Sequence, residues 1–341
     1  MSFELHRPRR LRAHAQLRDM VADTRLAASD FTAPLFVRSG KGMKVPVKSM
    51  PGVFQFSVDT AVEELKRLAR LGVSSYLLFG ITDAGKKDAV GSHAHSAENE
   101  VCRTLKAAKD AGIPMLAITD LCYCEYTDHG HCGPLVGTKK QEAGSKNQEE
   151  FTVDNDATVA RLGEQAVLHA ACGADVVAPS GMMDNMIAGI RGALDEAGKR
   201  DTAILSYAVK YASSFYGPFR DAAESPPQFG DRKSYQMDYR GAGGVKEALR
   251  EAAIDVAQGA DMIMVKPGMA YLDILRAVTD AVPVPTAVYQ VSGEYAMIKA
   301  AAANGWIDEK GVVMETMHAF KRAGAGFVLT YYAGDLAGWV K

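Results

Sequence analysis

No apolar run in these 341 residues approaches the roughly 20 residues needed to cross a bilayer. The N-terminal stretch lacks the apolar core of a secretory signal. Both absences point to a cytoplasmic chain. There is little net charge, since 39 Lys and Arg oppose 41 Asp and Glu for a balance of −2. That argues against a general nucleic-acid binder. The one basic cluster, Arg7, Arg9, Arg10 and Arg12, reads as a solvated or subunit-contacting arm, because no second basic block supports it. Cysteine is scarce, and in a reducing compartment five thiols do not make a disulfide framework. No G-x-G-x-x-G turn follows the first expected strand, which weakens a dinucleotide-binding reading. What is present is the balance of a globular protein, 48% hydrophobic and 23% charged, at a length normal for an eight-fold barrel with insertions.

One unit recurs: a helix ends in Gly and an apolar strand follows. It appears as Gly72 before Ser74–Phe79, Gly112 before Met115–Asp120, Gly173 before Ala174–Ser180, Gly259 before Asp261–Lys266 and Gly324 before Gly326–Tyr332. Pro34–Val37, Ala203–Ala208 and Pro285–Val291 add three strands without that marker. The strands are continuous apolar runs, as parallel strands buried on both faces require. Amphipathic stretches lie between them; in the first, Val62, Leu65, Leu68 and Ala69 share one face. Eight alternating units predict an α/β fold, a (β/α)8 TIM barrel over residues 33–341. Residues 1–32 form an N-terminal extended or helical arm, with Leu5, Leu11, Leu17, Met20, Val21 and Leu26 to bury. Periodicity leaves open whether the arm packs on its own barrel or on a neighbour's.

Chemistry in such barrels sits at the C-terminal strand ends. Those ends carry Asp120, Ser180, Lys210, Lys266, Ser292 and Tyr331. Lys266 closes the run Met262-Ile263-Met264-Val265, and Lys210 follows the neighbouring strand. Two close amines in partial burial disfavour each other's protonation, and a neutral lysine is what Schiff-base chemistry requires. Two connections are long, about 121–154 and 211–244, the length of lids or binding loops. The second carries Arg220, Arg232 and Gln236 among aromatics, which suits a carboxylate substrate.

The first long connection places Cys122, Cys124 and Cys132 within eleven residues. Three thiolates at this spacing can meet one soft divalent cation, with Zn2+ the default. His129 or His131 could close a structural site; alternatively water or substrate takes an open fourth position, as in catalytic zinc sites. Leaving the barrel mouth beside Asp120 favours the catalytic alternative. Cys102 and Cys172 fall on expected helices as core thiols.

These residues resemble the zinc-dependent form of the 5-aminolevulinate dehydratase (porphobilinogen synthase) family. The likeness rests on the cysteine loop, Met264-Val265-Lys266-Pro267-Gly268, Tyr289-Gln290-Val291-Ser292-Gly293-Glu294-Tyr295-Ala296-Met297, Asp231-Arg232-Lys233-Ser234-Tyr235-Gln236-Met237-Asp238 and Ala178-Pro179-Ser180. It runs from Arg7-Pro8-Arg9-Arg10 to Thr330-Tyr331-Tyr332. The resemblance implies a lyase of tetrapyrrole biosynthesis that condenses two molecules of 5-aminolevulinate to porphobilinogen with loss of two waters. It implies that Lys266 binds the first (P-side) substrate as a Schiff base and Lys210 the second (A-side). Ser292 and Tyr331 would hold the P-side carboxylate, and Arg220, Arg232 and Gln236 the A-side carboxylate. Asp120 and Ser180 would meet the P-side amino group. Cys122, Cys124 and Cys132 would hold catalytic zinc. Glu251, fifteen positions before Lys266, matches the glutamate of an allosteric magnesium site in some members. Members are commonly homo-octamers whose arms embrace neighbours, with no nucleic-acid or membrane partner.

The stretch 138–150 departs from the family pattern as an insertion, and so do Gly181 and Asn185 around Met182-Met183-Asp184. Two other classes compete. A class I aldolase shares a barrel and one Schiff-base lysine but needs neither the second lysine nor the cysteine loop. A zinc-stabilised binding module would hold metal tightly and form no imine with substrate.

Overall fold

The computed structural model describes residues 6–139, 149–226, 228–241 and 244–340. Eight parallel strands, each overlapping an expected run, form its centre: β1 (Phe31–Arg38), β2 (Ser75–Ile81), β3 (Leu116–Leu121), β4 (Val176–Pro179), β5 (Ala203–Ala212), β6 (Met262–Lys266), β7 (Thr286–Gln290) and β8 (Phe327–Thr330). Each pairs with the next, and β8 returns to β1 through Phe31↔Val328 and Thr32↔Leu329. The sheet is therefore a closed barrel, and the (β/α)8 expectation holds.

Helices follow the strands in turn: α1 (Val58–Leu71), α2 (Glu100–Asp110), α3 (Asn155–Cys172), α4 (Met186–Glu196), α5 (Val245–Ala257), α6 (Leu272–Ala281), α7 (Ser292–Ala303), α8 (Glu309–Arg322) and α9 (Ala333–Trp339). In α1 the residues Ala61, Val62, Leu65 and Leu68 are buried, the apolar stripe that periodicity gave it. Gly72 ends it at φ 94°, a left-handed conformation that costs a Cβ-bearing residue but not glycine. The Asp154 carboxylate starts α3 by accepting from the Ala157 N–H. Every residue of β2 is buried, so helices outside and side chains inside both cover it.

Two pieces of structure were not expected. A strand pair, Lys44–Pro46 with Phe54–Ser57, extends β1 at its C-terminal end. The connection after β3 contains an antiparallel ribbon, Leu135–Lys139 with Glu149–Val153. The middle of the proposed insertion, 140–148, lies outside the described residues. Both pairs are short, and neither alternates long enough to announce a strand. The N-terminal segment contains a short helix, Ala15–Met20. It leaves Leu11, Met20 and Val21 exposed, while Leu26 packs against the core. Among the described residues no helix is long and apolar enough to cross a membrane.

Candidate active site

The register of β5 on β6 sets Lys210 directly opposite Lys266. Both lysine side chains are buried, at 5% and 6% exposure. Lys210 Nζ donates to the Ser180 carbonyl at the end of β4, 2.5 Å away. Lys266 Nζ instead sits among four rings, with the centroids of Tyr289, Tyr207, Tyr216 and Phe219 at 4.7, 5.0, 5.1 and 5.4 Å. Burial, and then the neighbouring Lys210, lower its pKa to about 7, while Asp120 opposes them. A barrel built of apolar strands thus ends in an amine of which about half is neutral at neutral pH.

Asp120, in β3, faces the same space. Burial, followed by Glu125, raises its pKa, and the two lysines and Ser180 pull the other way. Its Oδ1 is buried without a hydrogen-bond partner. Asp120, Ser180, Lys210, Lys266, Arg220, Arg232 and Cys124 line one small cavity of about 20 Å³. That volume takes about one water, because Phe219 from the second long connection closes the mouth against Phe36 and Phe79, at 5.6 and 4.9 Å between ring centroids.

The lid carries the guanidiniums inward. Arg232 is 9% exposed and donates to the Gly130 and Ser225 carbonyls. Arg220 has its pKa lowered by burial and then by Arg232 beside it. Arg220 Nε, Arg232 Nε and Gln236 Nε2 are all buried donors without a partner. Unpartnered N–H groups on two crowded cations can take an anion.

Ser292 and Tyr331 stand apart from that cavity. Ser292 Oγ accepts from the Phe219 N–H at 2.9 Å and donates to the Phe215 carbonyl at 3.2 Å, tying the lid to α7. Tyr331 accepts a hydrogen bond from the Tyr289 hydroxyl at 3.0 Å. Glu294, one turn into α7, accepts from the Met269, Val291 and Gly268 N–H groups and so pins the turn that follows Lys266.

In the loop after β3, the sulfurs of Cys122, Cys124 and Cys132 lie buried within 4.8 Å of one another. Cys124 Sγ also lies 3.2 Å from Glu125 Oε2, a buried carboxylate that sequence reasoning passed over. Both histidines are engaged elsewhere. His129 bonds the Ala89 carbonyl and the His131 N–H, and His131 bonds Tyr235 and the Phe229 carbonyl. Cys102 and Cys172 are buried on α2 and α3 and do not join this cluster.

Glu251 lies on α5, remote from both lysines. With Asp184, Asp238 and Glu247 it lines a separate cavity of about 400 Å³ that Gln236 also borders. Burial, then Asp184 and Glu247, raise its pKa.

A profile of the family described as delta-aminolevulinic acid dehydratase matches residues 5–339. The chain belongs to that family. It is 51% identical over 338 residues to the delta-aminolevulinic acid dehydratase of Synechococcus elongatus, covering 99% of both chains. To the Bacillus subtilis protein of the same name it is 46% identical over 340 residues, covering 100% of this chain and 99% of that one. The crystal structure of the Toxoplasma gondii dehydratase (porphobilinogen synthase), in complex with its reaction product porphobilinogen, superposes with a TM-score of 0.91 at 40% identity. That match covers 98% of this chain and 92% of the other. The protein is accordingly an enzyme, a hydro-lyase.

Proposed function

We propose that this dehydratase condenses two molecules of 5-aminolevulinate into porphobilinogen on Lys266 and Lys210. The observation that carries the reading is the pair of buried amines facing each other across β5 and β6, in one cavity with Arg220 and Arg232, whose Nε groups have no partner. Lys266 forms an imine with the ketone of the P-side molecule and Lys210 with that of the A-side molecule. Arg220, Arg232 and Gln236 take the A-side carboxylate. Ser292 and Tyr331, on the far side of Lys266 from Lys210, take the P-side carboxylate. For this the Ser292 hydroxyl must exchange its lid contacts for substrate, which couples binding to lid movement. Asp120 and Ser180 meet the P-side amino group. Incubation with 5-aminolevulinate alone should give a pyrrole detectable with an acidic aldehyde reagent. An aldolase, or a protein that only binds, would give none.

The cysteine triad fits Zn2+. Three thiols so close cannot all ionise without a cation among them, and both imidazoles are already hydrogen-bonded, which leaves a fourth position for water or substrate. When bound there, the metal supplies Lewis acidity and orientation at the A-side substrate. The arm, with Leu11, Met20 and Val21 exposed on the single chain, serves self-association into a homo-octamer. The reading places the enzyme in tetrapyrrole synthesis in the cytoplasm.

The rate should depend on pH in a defined direction. Lys266 attacks only as the free amine, and its pKa is lowered to about 7. Below that value kcat/KM should fall about tenfold per pH unit, and above it the dependence should flatten. A limb near the ordinary lysine value of 10.5 would show that the amine is not perturbed.

Glu251 fits Mg2+, which takes one or two carboxylates and keeps several waters; Asp184 and Glu247 lie close enough to repel it when no cation is present. Magnesium should stimulate the native enzyme, and Glu251→Ala should remove the stimulation while leaving zinc dependence intact. Stimulation that survives the substitution would place the ion elsewhere.

A further inference from the structure

Strand alternation assigns Tyr207 to the outside of the barrel. It lies three residues before the inward Lys210, and successive side chains of a strand point to opposite faces. The structure places it inside. Between β5 and β6 the register shifts: Ser206 pairs with Ile263, but Val209 pairs with Val265, so two residues of β5 oppose one of β6. A bulge of this kind changes the phase of the strand. Ser206 therefore points outward, its hydroxyl donating to Asp255 of α5 at 2.5 Å, while Lys210, four residues on, points inward. Tyr207 falls on the inner side of that change. Its ring lies under both reactive amines, with Lys266 Nζ 5.0 Å and Lys210 Nζ 5.6 Å from the centroid.

The hydroxyl is the unexplained part. Tyr207 is fully buried, and its oxygen has no hydrogen-bond partner. A phenylalanine would fill the same space without stranding a polar group. The titratable groups around this side chain come from five strands or the residues just after them: Asp120, with Cys122 and Glu125 after it, from β3; Lys210 from β5 and Lys266 from β6, both over the ring; Tyr289 from β7; and Tyr331 just after β8. Burial, and then Asp120, hold the phenol well above its usual range, so it is a protonated donor throughout the working pH.

We infer that Tyr207 is a catalytic acid for imine formation on Lys266, a role that rests on the Schiff-base reading above. Addition of the free amine to C4 of the substrate ketone, with a proton passing from nitrogen to oxygen, gives a carbinolamine. The C4–O bond then breaks with its electron pair on oxygen. Tyr207 gives that oxygen its phenolic proton, and water leaves. The nitrogen lone pair closes the C=N bond as a protonated imine. The phenolate takes the proton back from the imine nitrogen, and phenol and neutral imine remain. No external donor is needed.

The test is the rate at which a borohydride-reducible adduct of 5-aminolevulinate appears on Lys266, followed by rapid quench and peptide mapping. Tyr207→Phe keeps the ring and should slow that rate about 100-fold, within the range of a single general acid, while the final amount trapped on Lys266 is unchanged. A rate equal to that of the unaltered enzyme would overturn the assignment. Should Tyr207→Phe fail to fold, 2,3-difluorotyrosine at position 207 retains both ring and hydroxyl. Its more acidic phenol should shift the rate of adduct formation away from that of the native phenol, because a general acid's strength enters the rate of the step it serves. An unchanged rate would equally overturn the role. If the unaltered enzyme gives no adduct on Lys266 at all, the Schiff-base reading itself fails, before Tyr207 is touched.

Discussion

Lys266→Ala should lose turnover by about 10⁴-fold or more, and with it the adduct trapped by borohydride in the presence of 5-aminolevulinate. The argument starts from solvation. An ammonium ion surrounded by four aromatic rings has given up its water, and the rings return only part of that stabilisation. The neutral form is therefore favoured, and Lys210 in the opposite register position adds like-charge repulsion. Lys210 is placed differently: its amine already donates to the Ser180 carbonyl and must break that bond before it can attack. Lys266 is thus the amine ready to react first. Lys266→Arg should fail as completely as the alanine variant, because a guanidinium stays protonated and forms no imine. Both variants should still bind substrate, since Arg220, Arg232 and Gln236 are untouched. Peptide mapping decides the order: a first reduced adduct on Lys210, with Lys266 unmodified, would reverse the two roles.

The features legible in the sequence are those whose physics is local. A glycine that ends a helix announces itself next to an apolar run, and five such junctions, with three further runs, sufficed for a barrel. Three thiols in eleven residues stand out as a candidate metal site in the sequence itself, because the ligands need no tertiary fold to come near each other. Lys266 was legible because a charge at the end of four apolar residues is costly unless it has a task. Features that depend on how strands slip past each other were not. The bulge in β5 is invisible in the sequence, so the inward placement of Tyr207 could not be read from alternation. Glu125 belongs to a loop rich in polar residues, and the approach of its carboxylate to Cys124, Cys122 and Asp120 in the folded chain separates it from its neighbours. Ser292 was legible as a strand-end hydroxyl; its bond to the Phe219 N–H, which makes it a latch for the lid, was not. The crowding of Arg220 against Arg232 is equally a product of the folded lid, since eleven residues and the end of a helical turn lie between them.

Exhaustive chelation should abolish activity, and Zn2+ alone should restore it. The sulfurs of Cys122, Cys124 and Cys132 lie within 4.8 Å of one another in a region closed to water. Without a cation, that geometry stabilises at most one thiolate among two thiols; with Zn2+ all three ionise, and the mutual repulsion becomes coordination. Each proton released on binding makes the apparent affinity depend on pH by up to about tenfold per unit. Metal should therefore be lost as pH falls, more steeply than any single ionisation would allow. Mg2+ should not substitute at this site, because a hard cation that prefers oxygen gains little from three thiolates. Replacing any one cysteine by serine leaves two soft ligands and a hydroxyl that does not ionise, so Cys132→Ser should need far more zinc for half-maximal activity, with Lys266 still in place. The metal-free enzyme should also lose activity in air and recover it with a thiol reductant, since uncoordinated thiols enter the oxidation series that coordination blocks. Full turnover in protein shown by elemental analysis to hold no metal would end the zinc reading and leave the three cysteines without an assigned task.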